Sequence, residues 1–220
     1  MTSCHAPIRD HAPELRVIAN VMLALCLIFV AGRFGYKIFI SSMDLGLDDW
    51  TVLAATLSAI PSIVITNVGT IPNGLGKDIW TVQPERITNV LRYFYVMAWL
   101  YFLQTTLVKL SFITFFVRIF PTKGVQRLLW GTFIFVSAWG VAFVVTAIFQ
   151  CRPISYFWTK WDGTQDGHCL DANSISWANA GMGIALDIWI LAIPLWQLRD
   201  LKLHWKKKLG VAFMFCIGAL

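Results

Sequence analysis

Long apolar runs alternate with short polar stretches along this chain, at a spacing set by helices that cross a bilayer, each needing about 20 mainly apolar residues. Five runs predict full spans, over residues 17–40, 50–71, 90–116, 128–149 and 175–198. The third is long enough to tilt. A sixth opens at Leu209 and is still apolar at Leu220; at about 12 residues it is too short to cross. The pattern therefore predicts an all-α, polytopic transmembrane helical bundle with five full spans and a partial sixth. Residues 1–16 form a polar N-terminal tail, and residues 17–220 a transmembrane domain expected to be incomplete at its C-terminal end.

Composition supports this division. Hydrophobic residues make up 57% of the 220 and charged ones 14%, against roughly 45–50% and about 25% in ordinary soluble domains. So few polar side chains cannot cover a water-facing surface, which excludes a soluble single-core enzyme. The net charge of +6 would suggest nucleic acid if it formed one face of a soluble domain, but here it collects in loops. Arg118, Lys123 and Arg127 lie between spans three and four, and Arg199, Lys202, Lys206, Lys207 and Lys208 follow span five. The opposite loops, 72–89 and 150–174, mix charges and include Asp78, Glu85, Asp162 and Asp166. Basic loops face the cytosol, so the N-terminus and the two longer loops are expected outside or in a lumen. The lipid bilayer is the expected partner and nucleic acid is not. Which membrane holds the chain is left open. The tail lacks a small-residue cleavage site, so the first span is expected to act as an uncleaved anchor.

Ionisable residues inside spans are costly and point to function or specific packing. Arg33 and Lys37 are four apart on one helical face. Lys109 in span three and Asp187 in span five lie about 13 and 18 Å from their cytosolic ends at 1.5 Å per residue, and so are plausible partners. Two readings stay open: a structural salt bridge, or a polar cavity that binds a ligand or moves a proton, which Gln104 would extend. Asp48-Asp49-Trp50 opens span two. Helix capping explains one of these acids; the other is a candidate partner of Arg33. The polar cluster candidates are thus Arg33, Asp49, Lys109 and Asp187.

Other segments narrow the choice. Residues 71–78 carry Gly74 and Gly76 before Lys77, but lack the first glycine and the hydroxyl residue of a phosphate loop; a tight turn is expected instead. Cys151 and Cys169 flank the second long loop and are candidates for a disulfide, worth about 3 kcal/mol by chain entropy. Cys26 and Cys216, in apolar runs, are read as buried small side chains. Cys4, His5 and His11 are too scattered to predict a metal site, and neither metal nor cofactor is expected. Gly181 and Ala185 offer a small-residue face for helix contact, and Pro194 allows a kink. Tyr93 and Tyr95 suit an interfacial belt, whereas Trp99 and Tyr101, deeper in span three, suit a belt, packing or a pocket wall. No familiar catalytic signature is present, which leaves enzyme status open.

Taken in order, several motifs resemble the fungal rhodopsin-like family of integral membrane proteins, which includes a satratoxin-cluster member. They are Gly32-Arg33 followed by Asp48-Asp49-Trp50; Gly74-Leu75-Gly76-Lys77; Val108-Lys109-Leu110-Ser111 leading to Arg118-Ile119-Phe120; Cys151-Arg152-Pro153 with Trp158 and Cys169; and the stretch from Asp187 to Pro194. The resemblance implies a seven-helix fold with the N-terminus outside, and a fungal source. It further implies an accessory role in secondary-metabolite biosynthesis, with an apolar small molecule or pathway intermediate as ligand. In an enzyme of this kind, Asp187 would drive cyclisation or isomerisation by proton transfer. The alternative is a surface-sensing receptor coupled to a G protein. Familiar rhodopsins carry their retinal-binding lysine on a seventh helix that this sequence does not include, so retinal is not expected.

Overall fold

A computed structural model describes residues 10–41, 46–78, 81–163 and 165–200. Its long helices are α1 (Ala12–Gly35), α2 (Leu47–Val64), α3 (Pro84–Ile119), α4 (Lys123–Ile148) and α6 (Ala172–Asp200). Wider π-helical turns prolong α1 over Tyr36–Ser41 and α2 over Ile65–Thr70. Between α4 and α6 lie a strand β1 (Cys151–Arg152), the single-turn helix α5 (Tyr156–Thr159) and a strand β2 (His168–Cys169). The protein is an all-α bundle, and among the described residues five helices are long and apolar enough to cross a membrane. The apolar run from Leu209 and the basic residues from Lys202 to Lys208 lie outside the described residues, as do Cys4, His5 and Cys216.

Local chemistry sets the helix ends. Proline occupies the first turn of both α1 and α3, with Glu14 and Glu85 beside it, and Arg33 and Arg118 close their last turns. Proline fits the first turn because no partner exists there for its missing N–H, and these charges complement the helix dipole. The helices outrun the apolar runs for this reason. α1 starts at Ala12 rather than 17, and α3 has 36 residues. At 1.5 Å per residue α3 is about 54 Å long, well beyond a hydrocarbon core of about 30 Å.

The centre of the bundle is α3, flanked by α2 and α4. Leu110, Ile113 and Phe116 of α3, with Phe120 just after it, meet Leu129, Val136 and Trp139 of α4 and Leu186, Ile190 and Ile193 of α6. Spacings of three and four place each set on one helical face. Between membrane helices the hydrophobic effect supplies no drive, so close approach depends on small residues. Gly140 of α4 is such a site: a Cβ there would run into the side chain of Thr106 on α3. By contrast, α1 is peripheral and exposes Val17, Met22 and Phe29, as a helix facing lipid does. Cys26 is exposed among the described residues, against the expectation that it is buried: an apolar run meant for a bilayer need not face protein on every side.

One end of the bundle carries the disulfide; the other, the basic end, carries Arg33, Lys37, Arg118, Lys123 and Arg127. At the first, β1 pairs antiparallel with β2 in the register Cys151↔Cys169, and these two cysteines are bonded. The following loop covers the start of α3. Tyr95 donates its hydroxyl proton to the C=O of Ile148 at the end of α4 (2.8 Å) and packs against Phe157 and Trp158. Arg92 sits over the Trp158 ring, and Trp161 donates to Thr88. Gly74 and Gly76 take positive φ in the turn after α2, where the Gly76 C=O accepts the His11 N–H (3.0 Å) and Asp10 bridges to Lys77. The start of α1 therefore lies at the disulfide end.

Candidate functional site: two ion clusters in the bundle

At the basic end five charged side chains converge from three helices. Arg33 Nη2 donates to Asp48 Oδ2 (2.5 Å) and its Nε to Asp49 Oδ1 (3.1 Å). Lys37 Nζ donates to Asp49 Oδ2 (2.6 Å) and Asp48 Oδ2 (3.3 Å). From α3, Arg118 Nη1 reaches Asp48 Oδ1 (2.9 Å) and lies 3.6 Å from Asp49 Oδ2. Both carboxylates are buried. Asp49 also accepts the N–H of Gly46, the residue that precedes α2 (3.0 Å), so one side chain both caps the helix and pairs with cations. These bonds tie α1, α2 and α3 together. Beside them opens a cleft of about 310 Å³ bounded by Gly46, Thr114, Arg118 and Trp130.

The second cluster lies deeper. Lys109 is buried on α3, and its Nζ donates to Asp187 Oδ1 and to the C=O of Gly183 (3.2 Å), both on α6. Gly183 and Asp187 are one helical turn apart, so they share the face turned to α3. The Asp187 side chain is 57% exposed, and its second oxygen has no hydrogen bond among the described residues. Charge at this depth costs about 2.5–3.5 kcal/mol per residue, and pairing with Lys109 offsets it. Chemically, the pair presents one carboxylate oxygen able to accept a hydroxyl or ammonium proton at the edge of an apolar bundle.

The structure thus brings together Arg33 with Asp49 and Lys109 with Asp187, as two separate clusters. Gln104 joins neither. It turns to α2 and donates to the C=O of Ser58 (2.8 Å) and to Ser62 Oγ (2.6 Å), because five residues from Lys109 place it on another face of α3. Of the Gly181 and Ala185 face, space is open around Gly181, while Ala185 lines a gap opposite Gly131 of α4. Tyr101 is exposed and packs edge-on against Phe102. Sequence reasoning missed Arg118 as a cluster member, since it was accounted for as a topology signal. The clue was Asp48-Asp49 itself, two acids where one cap suffices. Among the described residues no group of His, Cys, Asp and Glu could hold a metal ion. Outside the spans, Asp171 starts α6: its carboxylate accepts the Ser174 hydroxyl (2.6 Å) and the N–H groups of Asn173 and Ser174, which hold its pKa below the usual aspartate value.

A family model described as the fungal rhodopsin domain matches residues 32–220. Satratoxin biosynthesis SC1 cluster protein 4 of Stachybotrys chartarum is 29% identical over 124 residues, which are 56% of this chain and 46% of that protein. Polyenoic acids biosynthesis gene cluster protein Ba17b of Metarhizium anisopliae is 24% identical over 210 residues, 94% of this chain and 57% of the relative. A SAT4 family membrane protein of Emericella nidulans is 25% identical over 153 residues, 66% and 38% of the two chains. The chain spans about half the length of the first two of these relatives. No solved structure is significantly similar.

Proposed function

The chain belongs to the fungal rhodopsin domain family, and from that premise we propose that it is a membrane accessory component of a secondary-metabolite pathway. An apolar intermediate enters from the bilayer and places a polar group against Asp187. Two of the relatives described above are named for biosynthetic clusters, which supports the pathway. The observation that carries the site is the half-exposed Asp187 carboxylate held by a buried Lys109. Lys109 holds the carboxylate in place, while Asp187 supplies the recognising oxygen. Arg33 and Asp49 act at a distance by fixing how α1 and α2 meet α3.

This reading includes an orientation, with the N-terminus and the disulfide loop outside or in a lumen. The basic residues at the other end favour a cytosolic placement, and the Cys151–Cys169 bond suits an oxidising compartment. Domain limits of 1–16 for the tail and 17–220 for the membrane unit belong to the same proposal.

Deletion of the gene in its host, with metabolite profiling and complementation by wild type or the double variant Asp187→Asn/Lys109→Met, tests the role. Loss of a product or accumulation of an intermediate, restored by wild type and not by the double variant at normal abundance, is the expected result. An unchanged metabolite pattern on deletion overturns the pathway role.

A further inference from the structure

The seam between α4 and α6 is held open near the basic end. The Trp189 indole N–H donates to Thr132 Oγ1 (3.2 Å) across the gap, so a long side chain spans a distance that backbone contact would otherwise close. Beside this tie the residues are small. Ala185 faces the gap from α6, and a Cβ at Gly131 on α4 would meet nothing within 4 Å. The result is a groove of about 460 Å³, with walls formed by Leu128, Phe135 and Trp189. All three are exposed apolar residues within membrane-spanning helices, so the groove opens toward lipid. An unfilled apolar groove forfeits dispersion contacts along its whole lining, and acyl chains are the solvent at hand.

The charge at the mouth narrows the occupant. Arg127 lines the groove on the second turn of α4, is exposed, and makes no hydrogen bond or ion pair among the described residues. Lys123 is four residues earlier and so on the same helical face. From Arg127 to Phe135 the lining runs about 12 Å along the helix. A cationic head at the start of the helix, above a carbon-lined trough leading into the membrane, has the polarity of a single phospholipid with an anionic headgroup.

We propose that the α4–α6 groove is a binding site for one anionic phospholipid. Its phosphate lies against Arg127, and one acyl chain against Gly131, Phe135, Ala185 and Trp189. The lipid fills the opening left by the small residues and wedges α6 against α4. The inference rests on membrane embedding and not on the pathway role, so the two stand or fall separately.

The test uses the full chain reconstituted in vesicles of equal phosphatidylserine and phosphatidylcholine, then extracted for native mass spectrometry. Wild type should retain phosphatidylserine over phosphatidylcholine by about fivefold, the preference expected of one basic contact. Arg127→Gln should abolish the preference. Gly131→Leu, which fills the groove, should reduce retention of both lipids to the level of bulk detergent carry-over, and Ala185→Leu reads the same groove from the opposite helix if Gly131→Leu does not fold. Equal retention of the two lipids by wild type overturns the proposal, as does wild-type retention by a folded groove-filling variant. Ready crosslinking of Gly131→Cys to Cys216 also overturns it, since the chain's own later segment would then fill the groove.

Discussion

The ammonium of Lys109, buried on α3, donates to a carboxylate of Asp187 that stands more than half exposed on α6. This asymmetry makes the two residues unequal to mutation. Asp187→Asn leaves a cation buried against a neutral amide, and breaking a buried pair in this way costs about 3–5 kcal/mol. Lys109→Met strands a carboxylate that still reaches the surface, so its cost should be smaller. Thermal melting of detergent-solubilised protein should show Asp187→Asn well below wild type, with Asp187→Asn/Lys109→Met recovering most of the loss. A double variant no more stable than Asp187→Asn would show that the pair is not the source of the defect.

The cluster at the basic end yields a graded series. Asp49→Ala removes both the Gly46 cap and the partner of Arg33 and Lys37, whereas Asp49→Asn keeps an acceptor for the cap. Loss of the cap alone costs about 1 kcal/mol, and loss of a buried ionic partner about 3–5 kcal/mol. Arg118→Met removes a cation that is one-third exposed and leaves Asp48 paired with Arg33 and Lys37. Melting temperatures should therefore fall in the order Arg118→Met, Asp49→Asn, Asp49→Ala. If Asp49→Asn melts as wild type does, the charge is not what holds α1 to α2.

These clusters also show where sequence reading stops. Hydropathy located the five spans because the bilayer imposes their length, and the charge at Lys109 and Asp187 stood out because almost every neighbour is apolar. Which face of each span meets protein is a different matter. In a bilayer both the lipid-facing and the packed sides of a helix are apolar, so lying in an apolar run did not make Cys26 buried, and the polar Gln104, read as an extension of the Lys109 cavity, bonds to α2 instead. Arg118 was hidden for a related reason: a basic residue at a span end is fully explained by topology, until three helices are seen to meet there. Gly140 was invisible, since nothing in the chain distinguishes a packed glycine from Gly131, which faces open space.

Gly140 lies where α4 packs tightly on α3, with the Thr106 side chain in the space a Cβ would take. Adding even one carbon forces the helices apart or Thr106 out of place, and overpacking of this kind costs about 1–3 kcal/mol. Gly140→Ala should lower the melting temperature, while Gly131→Ala, with open space around it, should not. Thr106→Ala in the Gly140→Ala background should restore most of the loss. Equal melting of Gly140→Ala and Gly131→Ala would show that the two helices are not in tight contact at this point.

The start of α6 supplies a pH-dependent case in which the sign follows from the bonding. The Ser174 hydroxyl and two backbone N–H groups favour the charged form of Asp171, so its pKa in the folded protein lies below the ordinary aspartate value of about 3.9. The unfolded chain then binds a proton more readily than the folded one, and stability rises with pH in that window. The contribution of Asp171 is thus fully present above about pH 4 to 5 and is lost as pH falls through the lowered folded value. Asp171→Asn retains a capping oxygen that does not titrate. The melting temperature of wild type relative to Asp171→Asn should be constant from pH 7 to about pH 5 and should decline below about pH 4. Because every other carboxylate titrates in both proteins, the difference isolates this one cap. A difference that stayed flat across the acid range would mean that the Ser174 and backbone bonds do not favour the ionised carboxylate.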